Sequence, residues 1–94
     1  MHNILIVDDD VQMLDMVELV LKREGFAIHR AYSAREALTY VNDMTPSLML
    51  IDALLPDIDG LALCRKMRAL TQTANTPIIF LTGFDAPFSV VDAL

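Results

Sequence analysis

Ile4-Leu5-Ile6-Val7-Asp8-Asp9-Asp10 opens the chain with four consecutive aliphatic residues that run into three acids. An apolar run without alternation reads as a strand covered on both faces, as in a parallel sheet. The pattern recurs downstream. Leu48-Met49-Leu50-Ile51 runs into Asp52, and Ile78-Ile79-Phe80-Leu81 runs into Thr82-Gly83. Open α/β sheets place their sites outside the carboxyl ends of the strands. Parallel pairing of these runs therefore predicts a site built from Asp8, Asp9, Asp52 and Thr82. Clustered carboxylates repel one another and need a cation, usually Mg²⁺.

Helical patterns fill the gaps between the runs. The first strand is expected at Asn3 to Val7 and the first helix at Val11 to Glu24. Met13, Leu14, Val17, Val20 and Leu21 share one helix face, and Gly25 suits the position after the helix end. Asp10 reads as the cap of that helix. A second strand, Phe26 to Ala31, is less uniformly apolar and reads as an edge. Ser33-Ala34-Arg35-Glu36 is a capping box that opens a second helix with Ala37, Leu38 and Val41 inward. Pro56 and Gly60 punctuate the loop after Asp52, where Asp57 and Asp59 shape the turn and Gly60 relieves crowding. A third helix follows from Leu61 to Leu70, with Leu61, Cys64, Met67 and Leu70 (or Leu63) inward. Pro77 is tolerated at the start of strand four, and 86–94 reads as the beginning of a fourth helix. Strand–helix–strand repeats require right-handed crossovers and a mostly parallel sheet. The order 2-1-3-4 makes strands one and three neighbours and sets Asp8, Asp9 and Asp52 side by side.

Composition narrows the function classes. Ninety-four residues make one domain, and an apolar fraction of 54% makes it globular rather than disordered. Thirteen acids against seven bases give a net charge of −6, which argues against a nucleic-acid surface on this domain. The single cysteine, Cys64, excludes an intramolecular disulfide, fits a cytoplasmic location and reads as a small buried helix residue. No signal peptide pattern opens the chain, and no apolar stretch is long enough to span a bilayer. His2 and His29 are expected at the surface, with no second ligand at the spacing zinc needs. The six methionines read as core filler.

The acid cluster suits phosphoryl transfer. A carboxylate can attack phosphorus to form an acyl phosphate. The protein then has to supply in-line positioning and charge neutralisation. In that chemistry Asp52 is the nucleophile. Mg²⁺ is held by Asp9, Asp52 and a backbone carbonyl, with Asp8 acting through a metal-bound water. Thr82 donates to a phosphoryl oxygen, and Gly83 leaves the backbone approachable.

These residues resemble the receiver domain of two-component response regulators. The acids after Ile4-Leu5-Ile6-Val7 are similar to the family's metal-binding pair, and Leu48-Met49-Leu50-Ile51-Asp52 to its phosphoacceptor strand. Leu54-Leu55-Pro56-Asp57-Ile58-Asp59-Gly60 is similar to the loop that follows, and Leu81-Thr82-Gly83 to the switch hydroxyl with its small neighbour. The resemblance covers essentially residues 1–94 and implies a flavodoxin-like, doubly wound sheet of order 2-1-3-4. It implies a sensor histidine kinase or phosphotransfer protein as phosphodonor and Asp52 as acceptor. Asp8, Asp9, Asp52 and the carbonyl of Leu54 would hold Mg²⁺. Thr82 would act as the switch that relays phosphorylation to an output, and the domain would not be an enzyme in its own right.

The resemblance also implies a fifth strand, a lysine at its end and a fifth helix, none of which has a counterpart in the 94 residues; no lysine lies beyond Lys66. On that reading the receiver unit is incomplete and its self-phosphorylation is in doubt. Strand four then becomes an open edge, and the chain is expected to dimerise or swap segments through strand four and helices one and four. Two rivals stand beside the receiver reading. One is a docking or dimerisation module without phosphorylation. The other is a haloacid-dehalogenase-type phosphatase fragment with Asp8 as nucleophile and Asp10 as acid, against which Gln12 occupies a position where that motif wants Thr or Val.

Overall fold

Each aliphatic run forms a strand and each amphipathic stretch between them a helix in the computed structural model, which describes residues 2–81 and the backbone of 89–91. The elements are β1 (Asn3–Val7), α1 (Val11–Arg23), β2 (Ala27–Ala31), α2 (Ala34–Asp43), β3 (Leu48–Ile51), α3 (Gly60–Ala69), a 3₁₀ turn (Thr71–Thr73), β4 (Ile78–Phe80) and β5 (Ser89–Val91). The first four strands are parallel in the order 2-1-3-4, as the crossover argument requires. β2 is the edge, and His29 on it is half-buried, with its ring 3.2 Å from the Asn3 amide oxygen.

Alternation within the strands divides the core. Leu5, Val7, Met49, Ile51, Ile78 and Phe80 point to one face, under α2 and α3. Ile4, Ile6, Leu50 and Leu81 point to the other, where Leu14 of α1 meets them. α3 buries Leu63, Cys64 and Met67, while Leu61 and Leu70 are only half-buried. Burial pushes the Cys64 thiol pKa up, as for a packing residue. On α1, Leu14 alone is fully buried, and Val20, expected inward, is 54% exposed. Among the described residues α1 is the single helix over this face and offers a narrow line of contact, so one flank of its apolar stripe stays exposed.

The helix ends follow their sequence signals. Asp10 Oδ1 accepts from the Gln12 and Met13 amides at 3.0 and 3.4 Å. Ser33 Oγ accepts from the Glu36 amide, and the Glu36 carboxylate accepts from Tyr32 N–H, one residue upstream of the box expectation. Gly25 takes φ +88°, the left-handed conformation that ends α1. A second device joins distant parts of the chain. The Asp57 carboxylate accepts from the Ala34 and Arg35 amides at 3.0 and 2.9 Å and so caps α2 from the β3–α3 loop.

One expectation is overturned at the far edge. The segment 86–94, read as the start of a helix, contains β5, which pairs antiparallel with β4. Strand four is therefore not the open edge, and the premise for segment swapping through it is removed. The physical reason is the demand of β4's outer N–H and C=O groups for partners, which Ser89-Val90-Val91 meets. β-branched residues suit that conformation. Thr82, Gly83 and the remainder of 86–94 lie outside the described residues.

Those two amides hold the Asp57 carboxyl below the usual aspartate range. A depressed folded pKa contributes stability above the unfolded value of about 3.9, and that stability is lost as pH falls through the folded pKa. Thermal melts should show Asp57→Asn to be less stable than the parent at neutral pH, with the gap closing as acid protonates Asp57.

Candidate functional site

The parallel register places the acids. Val7 and Ile51 are register partners, and the Asp52 amide donates to the Val7 carbonyl at 2.8 Å. Asp8 and Asp52, the next residue on each strand, therefore stand side by side at the carboxyl edge. Asp8 is 2% exposed and Asp52 8%, while Asp9 faces solvent. The carboxylates of Asp8, Asp9 and Asp52 each offer an oxygen within 4.8 Å of the others. The expected convergence of these three acids is thus observed. Thr82 lies outside the described residues.

Local backbone geometry holds the carboxylates in place. Asp8 Oδ1 accepts from the Asp10 amide at 2.9 Å, and Asp52 Oδ1 accepts from the Leu54 amide at 3.2 Å. Leu54 bridges to Asp59 across the loop, and Asp59 Oδ1 caps α3 through the Ala62 amide at 2.7 Å. Gly60 sits against the floor of the site. A Cβ there would lie 2.5 Å from the Asp52 carbonyl oxygen and 2.8 Å from the Ala53 Cα. The loop glycine is therefore required for close approach to the strand that carries Asp52.

The electrostatics bear the mark of crowded acids. Burial pushes the Asp8 carboxyl up to about 6; the Asp10 N–H opposes this, and the charge and hydrogen bond of Asp52 add to it. An all-oxygen donor set of carboxylates suits a hard divalent cation such as Mg²⁺. A cation there would relieve the repulsion, so the residues present fit that ion.

The receiver reading of this geometry agrees with known proteins. The family description "Response regulator receiver domain" matches residues 4–94. The chain belongs to that family. It is 38% identical over 91 residues to the regulatory protein VanR of Enterococcus faecium, covering 97% of this chain and 38% of VanR. It is 39% identical over 82 residues to the DNA-binding response regulator MtrA of Mycolicibacterium paratuberculosis, covering 87% of this chain and 35% of MtrA. The chain thus spans little more than a third of these relatives. Its fold is similar to that of the chemotaxis response regulator CheY4 of Vibrio cholerae, with a TM-score of 0.87, 29% identity, and coverage of 93% of this chain and 72% of that one. Receiver domains of response regulators are signalling modules, not enzymes. No helix among the described residues is long and apolar enough to cross a membrane.

The role of Asp57 was not legible locally. Its partners lie more than twenty residues upstream, and only the folded arrangement of loop and helix reveals the contact.

Two outcomes follow from the geometry. Gly60→Ala should destabilise the chain by roughly 1–3 kcal/mol through overpacking against backbone, measurable by urea unfolding. For Asp8, a folded pKa of about 6 lies above the unfolded value. Its contribution is fully present below the unfolded pKa of about 3.9 and is lost as pH rises through 6. In chelator-treated samples, unfolding midpoints should fall across that window, and Asp8→Asn should flatten the fall.

Proposed function

We propose that Asp52 is the phosphoacceptor of this receiver domain. It takes a phosphoryl group from the phosphohistidine of a sensor histidine kinase or phosphotransfer protein in the cytoplasm. The observation that carries this reading is the burial of Asp52 beside Asp8 at the end of β3, with three acids inside 4.8 Å. An Asp52 carboxylate oxygen attacks phosphorus in line, the P–N bond breaks, and its electron pair leaves with the imidazole nitrogen. The product is an acyl phosphate on Asp52.

Asp8, Asp9, Asp52 and the carbonyl of Leu54 would hold Mg²⁺. When bound, such an ion would supply charge neutralisation for the phosphoryl oxygens. The chain's own groups do the positioning. The Leu54 amide orients one Asp52 oxygen, and Gly60 keeps the loop close to the strand. Thr82 follows β4 in sequence and is the proposed switch hydroxyl, donating to a phosphoryl oxygen and relaying the change outward. The added charge of roughly −1.5 to −2 then biases a two-state surface.

Intact-mass spectrometry after incubation with Mg²⁺ and a small phosphodonor tests the assignment. One phosphoryl adduct is expected on the parent chain and none on Asp52→Asn. An adduct that instead disappears in Asp8→Asn would favour the haloacid-dehalogenase reading. No adduct, together with no Mg²⁺ binding by calorimetry, would favour a docking module. Asp9→Ala should weaken Mg²⁺ binding while leaving the fold intact.

A further inference from the structure

β2 ends the sheet, and no strand lies against its outer edge among the described residues. The Ala27 N–H donates to the His2 carbonyl, and the Ala31 carbonyl accepts from the Asp8 N–H. Along a parallel ladder the residues of a strand alternate in the side to which they turn both backbone groups. Ala27, His29 and Ala31 therefore pair with β1. Ile28 and Arg30 turn their N–H and C=O groups outward, with no protein partner among the described residues. β2 carries no proline and no bulge, two of the devices that blunt an edge. Beside this edge, on the α2 side, lies an open cleft of about 840 Å³. His29 lines it with its ring centroid 6.0 Å from that of Tyr40, and Tyr32 and Tyr40 add apolar wall at 41% and 38% exposure. Four charged residues line the cleft. Arg30 is held by Asp15 and Glu18, and Glu36 accepts from the Tyr32 N–H. Arg35 and Asp43 are exposed, enter no ion pair among the described residues, and stand about 12 Å apart along α2.

We propose that this edge binds an extended peptide of a partner protein, added antiparallel to β2, with an acidic, an aromatic and a basic side chain alternating on the α2 side. In such strand addition, main-chain hydrogen bonds hold the peptide and pockets select alternate side chains. Antiparallel pairing is the more stable direction per residue. Ile28 and Arg30 fix the register. The peptide residues opposite them exchange four hydrogen bonds and turn their side chains toward α1, where Arg30 also points. The residue between them lies opposite His29 on the cleft side, where an aromatic ring meets Tyr40. The next residues on that side lie opposite Ala31 and Ala27. α2 follows β2 closely and runs back along it, so Arg35 lies toward the Ala31 end and Asp43 toward the Ala27 end. Four strand steps span about 13 Å, which matches the ~12 Å between these two charges. Antiparallel direction then sets the order acid, aromatic, base from the peptide's amino end. A second copy of the chain does not fit. Its β2 would offer only Ala27, His29 and Ala31 on this side, which leaves the cleft unfilled, and two chains of net charge −6 repel.

An NMR titration of the 94-residue chain with the probe peptide acetyl-Thr-Glu-Thr-Phe-Thr-Lys-Thr-amide tests it. Saturable binding with a dissociation constant below about 1 mM is expected. The Ile28 and Arg30 amide resonances should shift as their N–H groups gain partners. N-methylation of the two threonines that flank the phenylalanine should weaken binding about tenfold or more. N-methylation of the phenylalanine, whose N–H faces away from β2, should weaken it less than about threefold. Asp43→Lys should weaken binding about threefold, and a peptide with glutamate in place of its lysine should recover it. Absence of saturable binding, or shifts that spare Ile28 and Arg30, would overturn the proposal. So would unchanged affinity after methylation of the threonines, which marks side-chain capture without strand addition. A reversed methylation pattern marks a parallel strand and overturns it too, as does unchanged affinity in Asp43→Lys.

Discussion

Parallel pairing of β1 with β3 is the constraint on which the site depends. The register matches Val7 with Ile51, so the next residue on each strand is forced to the same height at the same edge. Asp8 and Asp52 both arrive there nearly out of contact with water. Burial raises the pKa of Asp8, and the charge of Asp52 beside it adds to that rise. Sliding one strand by a residue would relieve it, but would turn every core side chain to the wrong face. The hydrophobic cores on both faces thus hold the acids in a position that they would not choose for themselves.

The two faces of the sheet are not equivalent. α2 and α3 bury a continuous set of residues from Leu5 to Phe80, and the Asp57 carboxylate ties the loop before α3 to the first turn of α2. The loop that borders Asp52 is therefore braced from both sides, by Gly60 against the strand and by Asp57 against a helix. On the opposite face α1 is the single helix among the described residues. Leu14, Val17 and Leu21 pack it against the sheet, Arg30 braces it laterally, and Met16, Leu19 and Val20 remain exposed.

Most of this was legible because the sequence uses strong local signals. Uninterrupted aliphatic runs marked β1, β3 and β4, and the acids at their ends marked the edge where the site lies. Asp10, Ser33 and Gly25 announced helix ends through chemistry that acts within a few residues. The failures have a common cause, which is that they depend on neighbours distant in sequence. Val20 fits the inward stripe of α1 by spacing, but the width of the contact is set by the sheet below. Asp57 looks like a turn residue until α2 is placed beside it. Residues 89–91 could read as helix, yet the unpaired groups of β4 recruit them as a strand.

The topology also sets the order in which this crowding of acids can arise. β1 and β2 join by a short crossover, whereas Ile4 must find Leu48 across two helices and the edge strand. Closing the longer loop costs more chain entropy, so the nearer pairing has the kinetic advantage. The βαβ unit of β1, α1 and β2 can thus assemble with Asp8 still hydrated and ionised. Repulsion between Asp8 and Asp52 enters only when β3 docks. The chemistry of the site therefore weighs on the late part of the folding route and leaves its beginning undisturbed.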